Sequence, residues 1–298
     1  MNKSEHFKSG FVAVVGRPNV GKSTMINALI GDKIAIVSDK AQTTRNRIIC
    51  VYTDEEKQIV FMDTPGVHKP KHKLGEFMVD AAIESLKETE AVLFVVAGNE
   101  KRGPGDNFII EQLKRVKVPV FLVVNKIDTL QKEQLLEAIV SYQDAYPFAG
   151  VIPISAKNKD NLEELLNVLS KNLPEGPQYF PEDMITDQPE RLIISDIVRE
   201  KILLSTRDEI PHAIAVDVDE MKTRDDGTTY IRATIYCERD SQKGIIIGKK
   251  GALLKQLGAE ARADIQKLLA TKVYLDLWVK VKKDWRNKSG ILSELGYK

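Results

Sequence analysis

The sequence of 298 residues is poor in cysteine and histidine and has no long apolar run. Cys50 and Cys237 lie far apart in strand-like stretches, which predicts buried, reduced thiols and a reducing cytoplasm. The four histidines have no metal-ligand spacing, so we expect no structural metal. No eighteen consecutive residues are apolar and the first ten contain no apolar segment, so we expect neither a membrane span nor a secretion signal.

Charge is balanced over the whole chain but not along it. The formal net charge is +1, yet Pro181–Asp240 contains 8 basic and 15 acidic residues, whereas Ser241–Lys298 contains 13 basic and 5 acidic residues. Such a change within one segment favours a basic face, and a solvated charged surface is the alternative. The length suits two domains rather than one.

The first part of the chain alternates continuous apolar runs with helical stretches, which predicts a doubly wound α/β domain with a mostly parallel sheet. Arg47–Tyr52 and Gln58–Met62 are expected to form one antiparallel hairpin at its edge. The other predicted strands are Phe11–Val15, Ala91–Ala97, Val118–Val124 and Val151–Ile154. The predicted helices are Lys22–Ile30, Leu74–Lys87, Asn107–Arg115, Lys132–Tyr146 and Leu162–Asn172.

A cluster of four prolines within sixteen residues predicts a linker, because little helix can persist there. After it, a helix, two alternating strands, two helices and a last strand predict an α+β domain of order α-β-β-α-α-β. The expected divisions are an N-terminal extension (1–10), the α/β domain (11–174), the linker (175–189), the α+β domain (190–285) and a C-terminal tail (286–298).

A glycine-rich loop follows the first strand and opens the first helix, which is the context of a P-loop. Its glycines let successive backbone N–H groups face phosphates, and the helix N-terminus adds a positive dipole end. Lys22 is predicted to reach the β- and γ-phosphates, and Ser23 to ligate Mg²⁺. The expected nucleotide-binding residues here are Gly16, Arg17, Pro18, Asn19, Val20, Gly21, Lys22, Ser23 and Thr24.

Two further segments are expected to sense the γ-phosphate. Asp63 lies at a strand end, where it would hold Mg²⁺ through water, and the Gly66 N–H would bond the γ-phosphate. A switch-loop threonine would complete the Mg²⁺ shell. The sequence does not distinguish Thr43 from Thr44, although Thr44 is slightly favoured; an ordinary polar loop is the alternative.

The base-specificity element is predicted at the end of the fourth parallel strand. Asp128 would accept hydrogen bonds from guanine N1–H and its 2-amino group, and adenine offers neither. Asn125 would tie the loop to the base, and the Lys126 stem would cover the ring. The stretch Ser155, Ala156 and Lys157 would offer a backbone N–H to guanine O6.

No catalytic side chain can be assigned from the sequence. Val67 stands where Ras-like enzymes have a water-orienting glutamine, and a valine cannot take that role. Slow intrinsic turnover and acceleration by a partner are therefore expected. Asn19 is a candidate for holding K⁺ near the phosphates, with an ordinary P-loop side chain as the equal alternative.

A second glycine loop lies in the α+β domain between two predicted helices. In KH domains a G-x-x-G loop of this kind clamps the backbone of single-stranded nucleotides. A structural helix-turn-helix-like loop is the alternative. Trp285 in the basic tail could stack on a base, or the tail could be a basic surface only. The expected RNA-binding residues are Gly248, Lys249, Lys250, Gly251, Lys280, Lys282 and Trp285.

With these motifs in place, the chain resembles the Era family, bacterial GTPases with a KH domain of the type-II order. The resemblance extends over nearly the whole length and includes Gln42-Thr43-Thr44-Arg45, Arg199–Leu203 and Glu209–His212. It implies a P-loop GTPase domain, a type-II KH domain, and coupling of GTP to RNA binding. It also implies a monomer that binds the 3′ end of 16S ribosomal RNA, matures the small (30S) subunit, and associates peripherally with the inner membrane face.

Two other functions fit parts of the pattern. A motor that remodels RNA is disfavoured because the sequence shows no second P-loop core and no obvious helicase motif. A membrane-surface signalling GTPase, whose basic C-terminal face meets anionic lipid, is the main alternative to RNA binding.

Overall fold

The computed structural model describes residues 6–38, 40, 42–67, 70 and 72–297. They form two compact units. Most described residues up to Asp187 belong to the first unit, and those from Gln188 onward belong to the second. The described residues of Ile36–Ala41 and of His72–Leu74 also cluster with the second unit.

The first unit contains a six-stranded sheet of order β2-β3-β1-β4-β5-β6. Only β2 runs antiparallel, paired with β3, and the other neighbours are parallel. This confirms the doubly wound fold and its edge hairpin. The strands are β1 (Lys8–Val15), β2 (Ile48–Thr53), β3 (Lys57–Asp63), β4 (Ala91–Ala97), β5 (Val120–Asn125) and β6 (Gly150–Pro153).

Apolar cores cover both faces of this sheet. Along β4, Leu93 and Val95 belong to one core cluster, and Phe94 and Val96 belong to another. Burial on both faces explains why these strands are continuous apolar runs rather than alternating ones. Among the described residues, the helices around the sheet are α1 (Lys22–Ile30), α2 (Lys73–Glu84), α3 (Pro104–Leu113), α4 (Lys132–Gln143) and α5 (Leu162–Asn172).

The two ends of the first unit differ from the expected boundaries. The strand β1 starts at Lys8, inside the expected extension of residues 1–10. The expected linker is bound to the first unit up to Asp187. There Gly176 N donates to Phe7 O at 3.0 Å, and Val51 N donates to Ile185 O at 2.9 Å. The prolines break helix as predicted, but the extended chain satisfies the open backbone of β2, which is an edge strand.

The second unit has the predicted order α-β-β-α-α-β with two additional short helices. Its sheet has the order β7-β8-β9, with β7 antiparallel and β9 parallel to β8. No helix among the described residues is long and apolar enough to cross a membrane. The elements are α6 (Glu190–Ser205), α7 (Ile210–Ala213), β7 (Ala215–Thr223), β8 (Thr229–Cys237), α8 (Asp240–Ile247), α9 (Ala252–Leu269), β9 (Val273–Val281) and α10 (Ser289–Glu294).

Both cysteines are buried and reduced, as the sequence predicts. Cys50 lies in β2, where burial raises the pKa of its thiol. Cys237 ends β8, and burial likewise raises the pKa of its thiol. Neither residue is therefore a reactive thiolate.

Candidate nucleotide site and nucleic-acid interface

The P-loop turns directly from β1 into α1, and its glycines lie where side chains have no room. A Cβ on Gly16 would lie 2.3 Å from the Val95 carbonyl oxygen. Gly21 has a φ of 97°, and a Cβ there would lie 2.2 Å from Asn125 Nδ2. Glycine is therefore required at both positions for backbone reasons as well as for phosphate access.

Lys22 begins α1 and is buried against its own loop. Its ammonium donates to the carbonyl oxygens of Gly16 and Arg17, each at 3.1 Å. Burial lowers the pKa of Lys22 to about 8, and the charge of Asp63 acts in the opposite direction. The cation is thus held at the mouth of the loop, where phosphate charge would favour its protonated form.

The hydroxyl groups of two predicted metal-site residues converge on a carboxylate oxygen of the third, Asp63. Ser23 Oγ donates to Asp63 Oδ2 at 2.8 Å and lies 3.0 Å from Thr44 Oγ1. Thr44 Oγ1 also donates to Asp63 Oδ2, at 3.3 Å. The structure therefore joins Thr44 to this group, which is the threonine that the sequence slightly favoured.

Asp63 has an unused binding capacity. It is fully buried, and its Oδ1 accepts no hydrogen bond from the described residues. Burial raises the pKa of Asp63, while Lys22 and the two hydroxyl groups lower it. A buried carboxylate oxygen beside two hydroxyl groups is the all-oxygen set that Mg²⁺ prefers, so these residues fit the ion.

The predicted guanine loop is tied to the P-loop through Asn125, the last residue of β5. Its Nδ2 donates to Val20 O at 2.9 Å, and its Oδ1 accepts from Ala156 N at 3.0 Å. Asn125 is only 3% exposed. The sequence assigned Asn125 to the base loop alone. The structure shows that it connects the loop after β5 with both the P-loop and the loop after β6.

Asp128 is held in place by the loop after β6. Ser155 Oγ donates to Asp128 Oδ1 at 2.7 Å and accepts from Asn158 N at 3.1 Å. Asp128 itself is exposed, and the neighbouring Lys126 is half-buried with a φ of 68°. A fixed, accessible carboxylate is what recognition of the guanine edge needs. Lys157, two residues after Ser155, is exposed.

A charged network that the sequence analysis missed joins the P-loop to α3. Arg17 Nε donates to the fully buried Asp106 at 2.9 Å, and Arg17 Nη2 donates to Glu100 at 2.9 Å. Lys126 Nζ lies 3.8 Å from Glu100. Burial tends to lower the pKa of Arg17, but Asp106 and Glu100 raise it more. The network connects the phosphate loop with the lysine of the guanine loop.

The sequence held one signal for this network. Asp106 Oδ2 accepts from Gly103 N at 2.8 Å, so it caps a helix that has proline at its first position. The run Gly103-Pro104-Gly105-Asp106 is therefore a helix start, three residues before the predicted Asn107. An aspartate that caps a helix with one carboxylate oxygen keeps the other for a cation, and Asp106 uses that second oxygen to bind Arg17.

The segment after Asp63 packs directly on the P-loop. A Cβ on Gly66 would lie 2.8 Å from Pro18 backbone atoms, and Val67 N donates to Gly16 O at 3.2 Å. Val67 is 4% exposed and lies in an apolar core. Its side chain therefore has neither the chemistry nor the access to orient water. The next residue, His68, lies outside the described residues.

The G-x-x-G loop joins α8 to α9 as predicted. Gly248 has a φ of 73°, and a Cβ there would lie 2.8 Å from Leu253 Cβ. Gly251 has a φ of 80°, and Lys249 and Lys250 are exposed between the two glycines. The loop therefore presents two cations on a backbone turn that other residues would strain.

The three predicted RNA-binding residues of the tail are not part of this loop. Trp285 is fully buried and donates from Nε1 to Ala213 O at 2.9 Å, so the prediction that it stacks on a base is wrong. Lys282 pairs with Glu294 at 2.5 Å and lies 5.0 Å from the Tyr236 ring centroid. Lys280 is exposed on the sheet.

Comparison with known proteins agrees with both halves of this description. Residues 11–126 match the family model described as 50S ribosome-binding GTPase, and residues 209–286 match the KH domain model. Two crystal structures of Era each cover 98% of this chain at 43% identity. One is Era with MgGDPNP and nucleotides 1506–1542 of 16S ribosomal RNA, with a TM-score of 0.95 and 99% of its own chain covered.

The chain belongs to the Era family of GTPases.

A second Era structure extends the likeness to another nucleotide state. A single-residue variant of Aquifex aeolicus Era bound to GDP and AlF4⁻ has a TM-score of 0.94 with this chain, and 99% of its length is covered. As an Era-family member, the chain is a GTPase with a KH domain, and its cofactors are a guanine nucleotide and Mg²⁺. The KH prediction for the G-x-x-G domain is thereby confirmed.

Proposed function

We propose that this GTPase is a molecular switch that binds the 3′ region of 16S ribosomal RNA and the precursor of the 30S subunit, and assists assembly of that subunit. The observation that carries the proposal is the likeness, over 98% of the chain, to an Era that holds both MgGDPNP and that RNA. Because the GTPase half and the KH half belong to one chain, the switch would act on RNA through the KH half.

The nucleotide roles follow from the geometry. The proposed phosphate cradle is the P-loop from Gly16 to Thr24, with Lys22 as its cation. Asp128 and the Ala156 backbone would read guanine, and Lys126 would cover the ring. Ser23 and Thr44 would hold Mg²⁺ directly and Asp63 through water, and the bound ion would neutralise developing charge on the phosphates.

Hydrolysis in this site would depend on positioning rather than on a side-chain base. Val67 is buried and aliphatic, so backbone, an ion or a partner would have to orient the attacking water. Asn19 has a φ of 65° within the P-loop and is the proposed side chain for K⁺. Potassium-dependent turnover, measured against sodium, tests that role.

The RNA role is proposed for the G-x-x-G loop. Lys249 and Lys250 are exposed and flanked by glycines that allow close approach of a phosphate backbone. Lys249→Ala combined with Lys250→Ala removes both charges and keeps both glycines. A loss of RNA binding in this variant would therefore be due to charge and not to a change in the fold of the loop. The loop lies in the second unit, which contains Gln188–Lys298.

Fluorescence anisotropy with a labelled RNA of nucleotides 1506–1542 tests this function. We expect tight, sequence-dependent binding relative to a scrambled RNA, and a loss of that preference in the double lysine variant. Equal binding of the two RNAs by the wild-type chain would contradict the proposal. Sedimentation with liposomes of anionic lipid tests the alternative, a lipid-binding face.

The cellular setting implied by the resemblance is part of the proposal. We propose a cytoplasmic monomer with peripheral contact to the inner membrane face. The exposed basic tail residues Lys283 and Lys288 are the surface that anionic lipid would meet. Light scattering tests the monomer, and liposome sedimentation in competition with RNA tests the membrane contact.

A further inference from the structure

The charged end of Lys126, the lysine of the predicted guanine loop, lies near a carboxylate from another loop. Lys126 Nζ is 3.8 Å from Glu100 Oε1. Glu100 belongs to the turn after β4, whereas Lys126 directly follows β5. The Lys126 carbonyl oxygen accepts from Thr129 N at 3.0 Å and from Thr129 Oγ1 at 2.8 Å. The backbone of Lys126 is therefore held locally, while its ammonium group forms an ion pair with Glu100.

The second oxygen of Glu100 is bound by Arg17. Arg17 Nη2 donates to Glu100 Oε2 at 2.9 Å, and Arg17 Nε donates to Asp106 Oδ1 at 2.9 Å. Asp106 is fully buried and also accepts from Gly103 N at 2.8 Å. Rotation of the guanidinium group would leave part of a buried carboxylate unpaired, which is costly. Arg17 is therefore fixed by Asp106, and it in turn fixes Glu100.

Packing restricts the Arg17 side chain further. A Cβ on Gly105 would lie 2.9 Å from Arg17 Cδ and 3.2 Å from Arg17 Cγ. The aliphatic stem of Arg17 thus lies against the first turn of α3, and any side chain at position 105 would displace it. Stem and guanidinium group are both held, so the orientation of Glu100 is set before any nucleotide binds.

The turn that contains Glu100 is also joined to the guanine loop directly. Gly98 N donates to Asn125 O at 2.9 Å. A Cβ on Gly98 would lie 2.7 Å from Leu130 Cδ1 and 2.9 Å from Val124 Cγ1, so the two segments are packed closely. They follow neighbouring parallel strands and therefore leave the sheet at the same edge. The distance between Glu100 and the lysine is thus set by the backbone as well as by charge.

We propose that Glu100 is a positioning residue for guanine-nucleotide binding and that it acts through Lys126. Glu100 holds the ammonium group so that the apolar stem of Lys126 covers the face of the base, and Arg17 keeps Glu100 in place. Without Glu100, the flexible stem is ordered only when the nucleotide binds, and the entropy lost in that step weakens binding. This inference rests on the proposed role of Lys126 in covering the ring.

Dissociation of a fluorescent GDP analogue from the full-length chain measures the effect. Glu100→Gln keeps the shape of the side chain and removes its charge, and the side chain is 41% exposed, so the fold is preserved. We expect dissociation about two- to fivefold faster than in the wild type, the range for an exposed ion pair. High salt should reduce the difference, because it already screens the pair in the wild type. An unchanged rate would overturn the proposal.

A second background shows whether Glu100 acts through Lys126. Lys126→Met keeps an unbranched apolar stem and removes the ammonium group that Glu100 holds. Adding Glu100→Gln to Lys126→Met should leave the dissociation rate of that variant unchanged, because the two residues act as one unit. Acceleration by the same factor in both backgrounds would show that Glu100 acts independently of Lys126, and it would overturn the proposal.

Inosine diphosphate separates this role from recognition of the base edge. It has a two-ring face like that of GDP but lacks the 2-amino group, which Asp128 would read. Competition of each nucleotide against the fluorescent analogue gives its affinity. Glu100→Gln should weaken GDP and inosine diphosphate by the same factor, since the lysine stem meets the face and not the edge. A loss confined to GDP would place the effect at the base edge and would overturn the proposal.

Two further variants complete the test. Glu111→Gln makes the same chemical change at an exposed glutamate of α3 that pairs with Lys114 at 2.6 Å, and it should leave GDP dissociation unchanged. Equal acceleration in Glu111→Gln would overturn the assignment to Glu100. Lys126→Ala removes the whole stem. If it does not affect GDP binding, the proposed role of Lys126 is wrong and this inference fails with it. Faster dissociation in Lys126→Ala with no effect of Glu100→Gln would overturn this inference alone.

Discussion

Asn125 Nδ2 donates to the carbonyl oxygen of Val20 at 2.9 Å, and this bond fastens the guanine loop to the phosphate loop. The other end of the same amide accepts from Ala156 N at 3.0 Å. A single buried side chain thus sets the distance between the sites for base and phosphates. The nucleotide site is therefore organised by bonds between its own loops.

Asn125→Ala is expected to weaken GDP and GTP binding together, because both nucleotides need the same spacing of the two loops. A buried polar group left without its partner costs about 1–3 kcal/mol, which corresponds to roughly a 5- to 150-fold change in affinity. Dissociation of a fluorescent GDP analogue measures it. Asn172→Ala on α5, which removes only a bond to Val168 O, is the matched control. Unchanged dissociation in Asn125→Ala would contradict this role.

Asp128→Asn should change which purine the site accepts. Its amide offers a donor where the carboxylate accepted, so it would oppose the 2-amino group of guanine and suit the 2-oxo group of xanthine. We expect affinity for GTP to fall by at least about 100-fold, several kcal/mol, and affinity for xanthosine triphosphate to rise. Competition binding with the two nucleotides measures this. A parallel loss for both nucleotides would show that Asp128 only supports the fold.

Thr44→Ala should separate the two nucleotide states. Thr44 lies 3.0 Å from Ser23 Oγ, and a switch-loop threonine contributes to Mg²⁺ binding when the γ-phosphate is present. We therefore expect weaker binding of a non-hydrolysable GTP analogue with little change for GDP. Titration calorimetry with Mg²⁺ measures both affinities. Thr44→Ser, which keeps the hydroxyl group, should restore GTP-analogue binding, and failure of that rescue would contradict a ligand role.

Asp106→Ala should destabilise the first unit rather than abolish its GTP hydrolysis. It removes a buried carboxylate that binds both Arg17 and the N–H of Gly103, the residue just before α3. The expected loss is about 1–3 kcal/mol, or several degrees in Tm for a unit of this size. Scanning calorimetry measures it. Glu100→Gln, at a carboxylate 41% exposed, should change the free energy of unfolding by less than about 0.5 kcal/mol.

Local patterns predicted the mostly parallel sheet with its edge hairpin, the helices and the P-loop, because each rests on neighbouring residues. What escaped prediction depends on distant partners. Arg17 pairs with a residue 89 positions away, and Trp285 bonds to a carbonyl 72 positions earlier. The prolines after Leu173 indicated a break, but nothing local showed that the chain would cover the edge of β2. Tertiary contacts of this kind leave no periodic signal in the sequence.

The most direct test of the coupled switch is GTP hydrolysis with and without an RNA of nucleotides 1506–1542, in the wild type and in Gly248→Asp. A side chain at Gly248 would meet Leu253 at a positive φ, and aspartate adds a negative charge where RNA phosphates would approach. We expect RNA to accelerate turnover in the wild type and this acceleration to be lost in Gly248→Asp, while basal turnover is the same in both. Turnover that is the same with and without RNA, in a chain that hydrolyses GTP, would contradict coupling of the two halves.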